Sequence, residues 1–361
     1  MQIDAAKAFS LSAQQVLDTC QTLYERHQMI TYPRSDCRYL PSQQHKDATA
    51  IIKALGNTEG EIAKGANSAD PSRKSKAWND KQVTAHHAII PTTQSYKMAS
   101  LSKTEGLVFS LIARQYLMQF YPDYEYLSSQ IRLIIEGGQF EAKGNTPTAL
   151  GWKALLGNKS KANKPSDEEQ SELPKLTKGE EAWCHEGSID EKITTPPAAF
   201  TDATLLAAMT GISRFVTDKS IRAILKETDG LGTEATRASI IELLFKRNFL
   251  TRQGKQIHAS STGRAFIDCL PNQLVTPDMT AKWESSLNAI SLGEASYQDF
   301  MENLEKNLTE LLDKSREMPT AALKNLPPPS KKAFTKRKSS TRKPAGKKAN
   351  TNARRRPKAS S

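Results

Sequence analysis

Gln21-Thr22-Leu23-Tyr24-Glu25-Arg26-His27-Gln28-Met29-Ile30-Thr31-Tyr32-Pro33-Arg34-Ser35-Asp36 is the stretch on which the reading turns. Its first residues close an amphipathic pattern over 12–28. There Ser12 and Gln15 have capping-box spacing, and Val16, Leu17, Cys20, Leu23 and Tyr24 fall on one helical face. Its last residues are extended, because Pro33 disfavours a helical backbone at Tyr32. Residues two apart on an extended chain point the same way, so Tyr32, Arg34 and Asp36 share a face.

That trio suits phosphodiester chemistry. Cutting a strand without water needs a nucleophile that forms an ester and a cation for the charge developing on phosphate. A phenol can serve, although its ordinary pKa of about 10 makes it a poor nucleophile unaided. The planar fork of Arg34 matches phosphate oxygens, and Asp36 is spaced to orient it. A proline-containing turn with a surface tyrosine explains the same residues.

On either side the pattern is mixed α and β. Ser42–Leu55 reads as a helix stopped by Gly56, and 57–83 as mostly loop. Ser102 and Glu105 open a capping-box helix running to about Tyr121. Tyr124–Glu136 alternates apolar and polar residues, Gly137-Gly138 turns, and Gln139–Lys143 returns as a strand. Asn158–Ser171 is a linker candidate, and Ala182–Ile193 a further strand. Thr201 caps a short helix to Met209, Thr233 begins a longer one to Arg247, and Phe249–Ala259 reads as a small β-hairpin after it, a helix–hairpin order that resembles a winged-helix element. Helices are expected at 261–269, 278–290 and 296–316.

The net charge of +12 is unevenly placed. Thirteen of the 51 Lys and Arg residues lie in 330–361, which has no acid; the other 38 face 39 Asp and Glu. The body is therefore balanced, and any polyanion site in it is a local groove. The tail, with Arg354, Arg355 and Arg356, would bind phosphates by counterion release or simply keep the chain soluble. From Pro327 its composition predicts disorder. The four cysteines are scattered without a C-x-x-C pair, so neither a zinc ribbon nor a disulfide framework is expected, and a reducing cytoplasm fits. No run approaches the ~20 apolar residues of a membrane span.

Two further strings carry chemistry. Ala85-His86-His87-Ala88-Ile89-Ile90-Pro91-Thr92 offers a histidine that can hydrogen-bond a phosphate oxygen or assist proton movement. Gly230-Leu231-Gly232-Thr233-Glu234-Ala235-Thr236-Arg237-Ala238 runs from glycine-rich backbone into a helix start, which presents free N–H groups to an anion. Thr233, Thr236 and Arg237 can add phosphate contacts.

Taken together, Gln21-x-Leu23-Tyr24-Glu25 followed by Ile30-Thr31-Tyr32-x-Arg34-Ser35-Asp36 resembles the active-site pattern of type IA DNA topoisomerases. Tyr32-Pro33-Arg34-Ser35-Asp36 with Arg38-Tyr39-Leu40-Pro41 is similar to the topoisomerase III branch. His86 aligns with the histidine of the family's H-x-A-I-x-P-T segment, and the Gly230–Ala238 string with an element lining its single-strand DNA groove. Pro196–Leu206 resembles the segment leading into that element. The resemblance covers roughly 5–320.

It implies a partial toroid. The expected domains are 1–110, mainly helical and bearing Tyr32; 111–200, a β-containing arch segment; 201–318, a helical single-strand DNA-binding domain; and 327–361, a disordered basic tail. It implies ATP-independent cleavage, strand passage and religation through a 5′-phosphotyrosyl link, relaxing negatively supercoiled DNA or decatenating DNA in the bacterial cytoplasm at the nucleoid. In the family, an amino-terminal Toprim domain supplies a glutamate and a D-x-D cluster that holds Mg2+. This sequence contains no D-x-D. The expectation is therefore that the chain lacks the Toprim domain and its metal ligands, and works with a separate Toprim-bearing chain or is an inactive DNA-binding fragment. A tyrosine recombinase fits poorly, since no R…H-x-x-R arrangement precedes the tyrosine.

Overall fold

A computed structural model describes residues 1–83, 85–161, 173–227 and 230–318. The described residues belong to one compact unit, and the basic tail, with Arg354, Arg355 and Arg356, lies outside them, as does most of the linker at 158–171.

Two short helices begin the chain, α1 (Gln2–Phe9) and α2 (Ala13–Glu25). The Ser12 hydroxyl accepts from the Gln15 amide while the Gln15 side chain accepts from the Ser12 amide, the capping box read from the sequence. Val16, Cys20 and Leu23 then face a helical core shared with α3 (Ala48–Gly56), α4 (Glu61–Asn67) and α5 (Lys103–Leu117). Each large aliphatic or aromatic side chain buried there contributes about 1.5–3 kcal/mol. This core takes in α5 and Phe120, and so crosses the boundary expected at 110.

Two expectations here change. Ser42–Asp47 is a 3-10 segment ahead of α3, and its first amide, that of Ser42, donates to the Asp80 carboxylate at 2.8 Å. The stretch 57–83 holds α4, whose polar sequence hid it.

Next comes an antiparallel ribbon, β1 (Glu125–Ile135) and β2 (Gly138–Ala149), paired from Ile135↔Gly138 to Glu125↔Ala149. Glu136 and Gly137 both take positive φ, the turn geometry that matches strand twist. Tyr126, Leu127, Ile134 and Phe140 remain exposed on it. The strand expected at 182–193 is absent. Trp183, Ile189 and Ile193 are exposed, and without a partner ladder an extended run gains nothing from its β propensity.

The remaining elements are α6 (Asp202–Thr210), α7 (Lys219–Glu227), α8 (Glu234–Lys246), β3 (Leu250–Gln253), β4 (Gln256–Ala259), α9 (Ser261–Cys269), α10 (Asn272–Val275), α11 (Asp278–Ser291) and α12 (Tyr297–Arg316). The helix–hairpin order at α8, β3 and β4 is as expected. Ala13 of α2 meets Leu206 of α6 and Ala238 and Ile241 of α8 in a second, small buried cluster. A third joins α7 to α11 through Ile221, Leu225 and Ala281. Among the described residues no helix is long and apolar enough to cross a membrane.

Candidate active site

Tyr32 is positioned by backbone hydrogen bonds. Met29 and Ile30 are buried, and Ile30 pairs antiparallel with Pro91. The Thr31 amide donates to Ile90 O at 2.9 Å and the Thr92 amide to Met29 O at 3.1 Å. The Ile90 amide in turn donates to Thr31 Oγ1 at 3.0 Å. This short ladder sets the Tyr32 segment beside the histidine segment. The rings of Tyr32 and His86 lie 4.7 Å apart, tilted by 43°. Tyr32 is 38% exposed, so it is neither core nor free surface. The two histidines differ. His87 has Nδ1 2.7 Å from Ala88 O and Nε2 3.0 Å from the Gln44 amide, so both of its ring nitrogens are engaged within the fold. His86 is exposed, and among the described residues no hydrogen bond holds it.

Arg34, Asp36, Ala85, His86, Thr233, Glu234 and Ala235 line one cleft of about 290 Å3. Three strings far apart in sequence thus meet at one place. Arg34 is exposed and forms no ion pair with Asp36 among the described residues, so the orienting role expected of Asp36 is not realised.

A family model described as DNA topoisomerase matches residues 1–302. The chain belongs to the DNA topoisomerase family. It is 52% identical over 327 residues to the DNA topoisomerase 3 of Pasteurella multocida (strain Pm70), covering 90% of this chain and 49% of that protein. It is 48% identical over 351 residues to the DNA topoisomerase 3 of Salmonella typhimurium, covering 97% and 53%. In fold it is similar to full-length topoisomerase I from Thermotoga maritima, with a TM-score of 0.58 at 17% identity, covering 87% of this chain and 48% of that one. The type IA, topoisomerase III-like resemblance read around Tyr32 and His86 is therefore borne out. The chain spans about half the length of the curated relatives it matches.

In this topoisomerase chain the start of α8 is built as a rigid corner. Thr233 Oγ1 accepts from the Thr236 amide at 3.3 Å, and Thr236 Oγ1 accepts from the Thr233 amide at 2.7 Å. Thr233 reaches the cleft lining; Thr236 is occupied as the reciprocal cap. Arg237 requires a correction. It is 2% exposed, and its guanidinium donates to Leu231 O at 2.8 Å, Gly232 O at 2.7 Å and the Glu234 carboxylate at 3.0 Å. It shapes the loop from inside and presents no fork to a ligand. Gly230 is obligatory for the same loop: at φ +83 a Cβ would stand 2.3 Å from Met209 O.

The corner and Arg34 together favour an anion, through N–H groups at the helix start and a guanidinium. Asp36 and Glu234 also line the cleft, but Glu234 is engaged by Arg237. Among the described residues no group of three His, Cys, Asp or Glu could hold a metal. The residues present therefore do not by themselves fit the magnesium site that the family resemblance implies.

Sequence reasoning missed a second recess beside the tyrosine. About 590 Å3 in volume, it is lined by Tyr24, Glu25, Gln28, Ile30, Thr31, Tyr32, Thr92 and Gln94. Tyr24 reads as a core-face residue in the helical pattern. In the fold it is exposed at the end of α2, with its ring 5.7 Å from that of Tyr32 and at 84° to it. Its place in the last turn, next to a chain that leaves the helix, was the available signal.

Proposed function

We propose that this chain is the strand-cleaving half of a topoisomerase III-like enzyme. The Tyr32 oxygen attacks a DNA phosphorus and forms a 5′-phosphotyrosyl ester, while the P–O bond to the neighbouring sugar breaks and leaves a 3′-hydroxyl. The ester keeps the bond energy, so resealing by that hydroxyl needs no ATP. Arg34 steadies charge on the phosphate oxygens, and His86 holds or moves a proton beside the phenol. The N–H groups at the start of α8, with Thr233, hold the adjoining backbone phosphate of single-stranded DNA. Arg237 and Thr236 act only by keeping that corner in shape. The carrying observation is the 4.7 Å contact of Tyr32 with His86, at the edge of a cleft that also holds Arg34 and Thr233. Mg2+, negatively supercoiled or catenated DNA and a Toprim-bearing partner belong to the same reading, as do the expected division into arch and DNA-binding domains and a place at the bacterial nucleoid.

The test is to trap covalent adducts on a single-stranded oligonucleotide with denaturant and map them by mass spectrometry. It is run on the chain alone and with the portion of the Pasteurella multocida relative that this chain does not align with. An adduct on Tyr32, lost in Tyr32→Phe, is expected once both portions are present. No adduct in either condition would leave a DNA-binding chain without chemistry and overturn the proposal.

A further inference from the structure

The two recesses flanking Tyr32 differ in chemistry. The 290 Å3 cleft has a guanidinium, an imidazole and a helix start, the groups that hold phosphate, beside the carboxylates of Asp36 and of Glu234, the latter paired with Arg237. The 590 Å3 recess has no cation. Its lining offers an aromatic face at Tyr24, two side-chain amides at Gln28 and Gln94, a hydroxyl at Thr92 and a carboxylate at Glu25. Among the described residues the side-chain amides of Gln28 and Gln94 have no hydrogen-bond partner, and neither does the Tyr24 hydroxyl. Glu25 already accepts from Gln21, and Thr92 Oγ1 donates to Gln28 O at 2.8 Å, so the free hydrogen-bonding capacity lies with the two glutamines and Tyr24.

A π-face with unengaged amides and no positive charge is the inventory for a planar heterocycle. Side-chain amides present donor and acceptor together, matching the mixed edges of a nucleobase. Both recesses adjoin the Tyr32–His86 ring pair, so a strand whose phosphate enters the cleft has its neighbouring base beside Tyr24. With Tyr24 and Tyr32 at 84°, a base lying flat on Tyr24 stands nearly perpendicular to the Tyr32 ring, so it does not stack over the nucleophile's ring.

We infer that the Tyr24–Gln28–Gln94 recess is a nucleobase subsite that stacks one base of single-stranded DNA next to the scissile phosphate and biases which base stands there. This rests on the proposed function of the cleft and adds a determinant of sequence preference to it.

The full chain is titrated with short homopolymeric oligodeoxynucleotides of each base and with the matching abasic strand. Tyr24→Leu is expected to weaken base-bearing strands on the order of 5- to 100-fold and to leave the abasic strand unchanged. Tyr24→Phe, which keeps the ring, should restore binding and shows that the Leu variant has not lost its fold. Gln94→Leu and Gln28→Leu should reorder the four bases by about fivefold. Equal weakening of base-bearing and abasic strands by Tyr24→Leu, or none, overturns the subsite. If Arg34→Ala still weakens every strand in that case, the phosphate cleft stands and only the base subsite falls. If Arg34→Ala is also silent, the reading of the cleft falls with it.

Discussion

The amide of Thr31 donates to the carbonyl of Ile90 at 2.9 Å, and the amide of Ile90 returns a bond to the Thr31 hydroxyl at 3.0 Å. This exchange clamps the tyrosine segment onto the histidine segment. Thr31→Val keeps the shape and removes the acceptor, leaving the Ile90 amide unpaired. A loss of about 1–3 kcal/mol is expected in thermal denaturation. Where adduct formation is measurable, its rate should fall on the order of 10- to 100-fold, because the two rings are no longer held in register.

Arg34 and Arg237 are both phosphate-contact candidates in the sequence, but in the fold Arg34 is exposed and Arg237 is buried. Arg34→Ala should leave the melting temperature unchanged and lower the slope of log affinity against log salt for single-stranded DNA by about 0.7, one phosphate contact. Arg237→Lys should cost about 3 kcal/mol of stability, since one ammonium cannot replace a fork bonded to two carbonyls and a carboxylate. Equal effects of the two variants on the salt slope would contradict this division.

Gly230→Ala tests the loop from another direction. With φ at +83 and a backbone oxygen 2.3 Å from the added carbon, the loop must move. Destabilisation above about 1 kcal/mol is expected, with faster proteolysis near 230.

Much of this was legible beforehand for a local reason. Capping pairs such as Ser12 with Gln15 and Ser102 with Glu105 act within one helical turn, so sequence spacing contains the whole interaction. The glycines at 137 and 138 likewise signal the hairpin, although the turn falls one residue earlier, at Glu136-Gly137, with Gly138 already paired to Ile135. What escaped was decided at long range. The first helix and α4 lack a clear apolar stripe and exist because larger neighbours cover Ala5 and Ala66. Ala182–Ile193 has strand-forming residues but no partner. The burial of Arg237 depends on where the preceding loop folds, and the exposure of Tyr24 on where the chain goes after α2.

Acid should reveal Glu105. Its carboxylate accepts from the Ser102 amide at 2.6 Å and lies 3.6 Å from His27 Nε2. The Ser102 amide bond, only partly opposed by burial, holds the carboxyl below its usual range. The folded-state pKa is thus below the unfolded value of about 4.3, so this stability is complete above that pH and is lost as pH falls through the folded pKa. Glu105→Gln, which keeps the capping-box acceptor and removes the charge, should melt about 1–3 °C lower at neutral pH, a difference of about 0.3–1 kcal/mol. The gap to wild type should close as the solution is acidified past that pKa.

Cysteine labelling offers a check on packing. Burial pushes the Cys20 thiol up to about 12, whereas Cys184 is exposed. At about pH 8 iodoacetamide should modify Cys184 readily and reach Cys20 only after denaturant, as read by peptide mass spectrometry.

The contact of α2 with α6 and α8 has a mechanical corollary. Among the described residues Ala13, Leu206, Ala238 and Ile241 are the buried members there, with Leu17, Leu205 and Phe245 among those packed around them, while α2 is anchored on its other side by a far larger apolar cluster. A seam with so few buried side chains is expected to open at a lower free-energy cost than the body it is stitched to. The expected consequence of such an opening is that Tyr32 moves with its own helices while the Thr233 corner stays with α8, so the cleft lined by both segments parts without any helix having to melt.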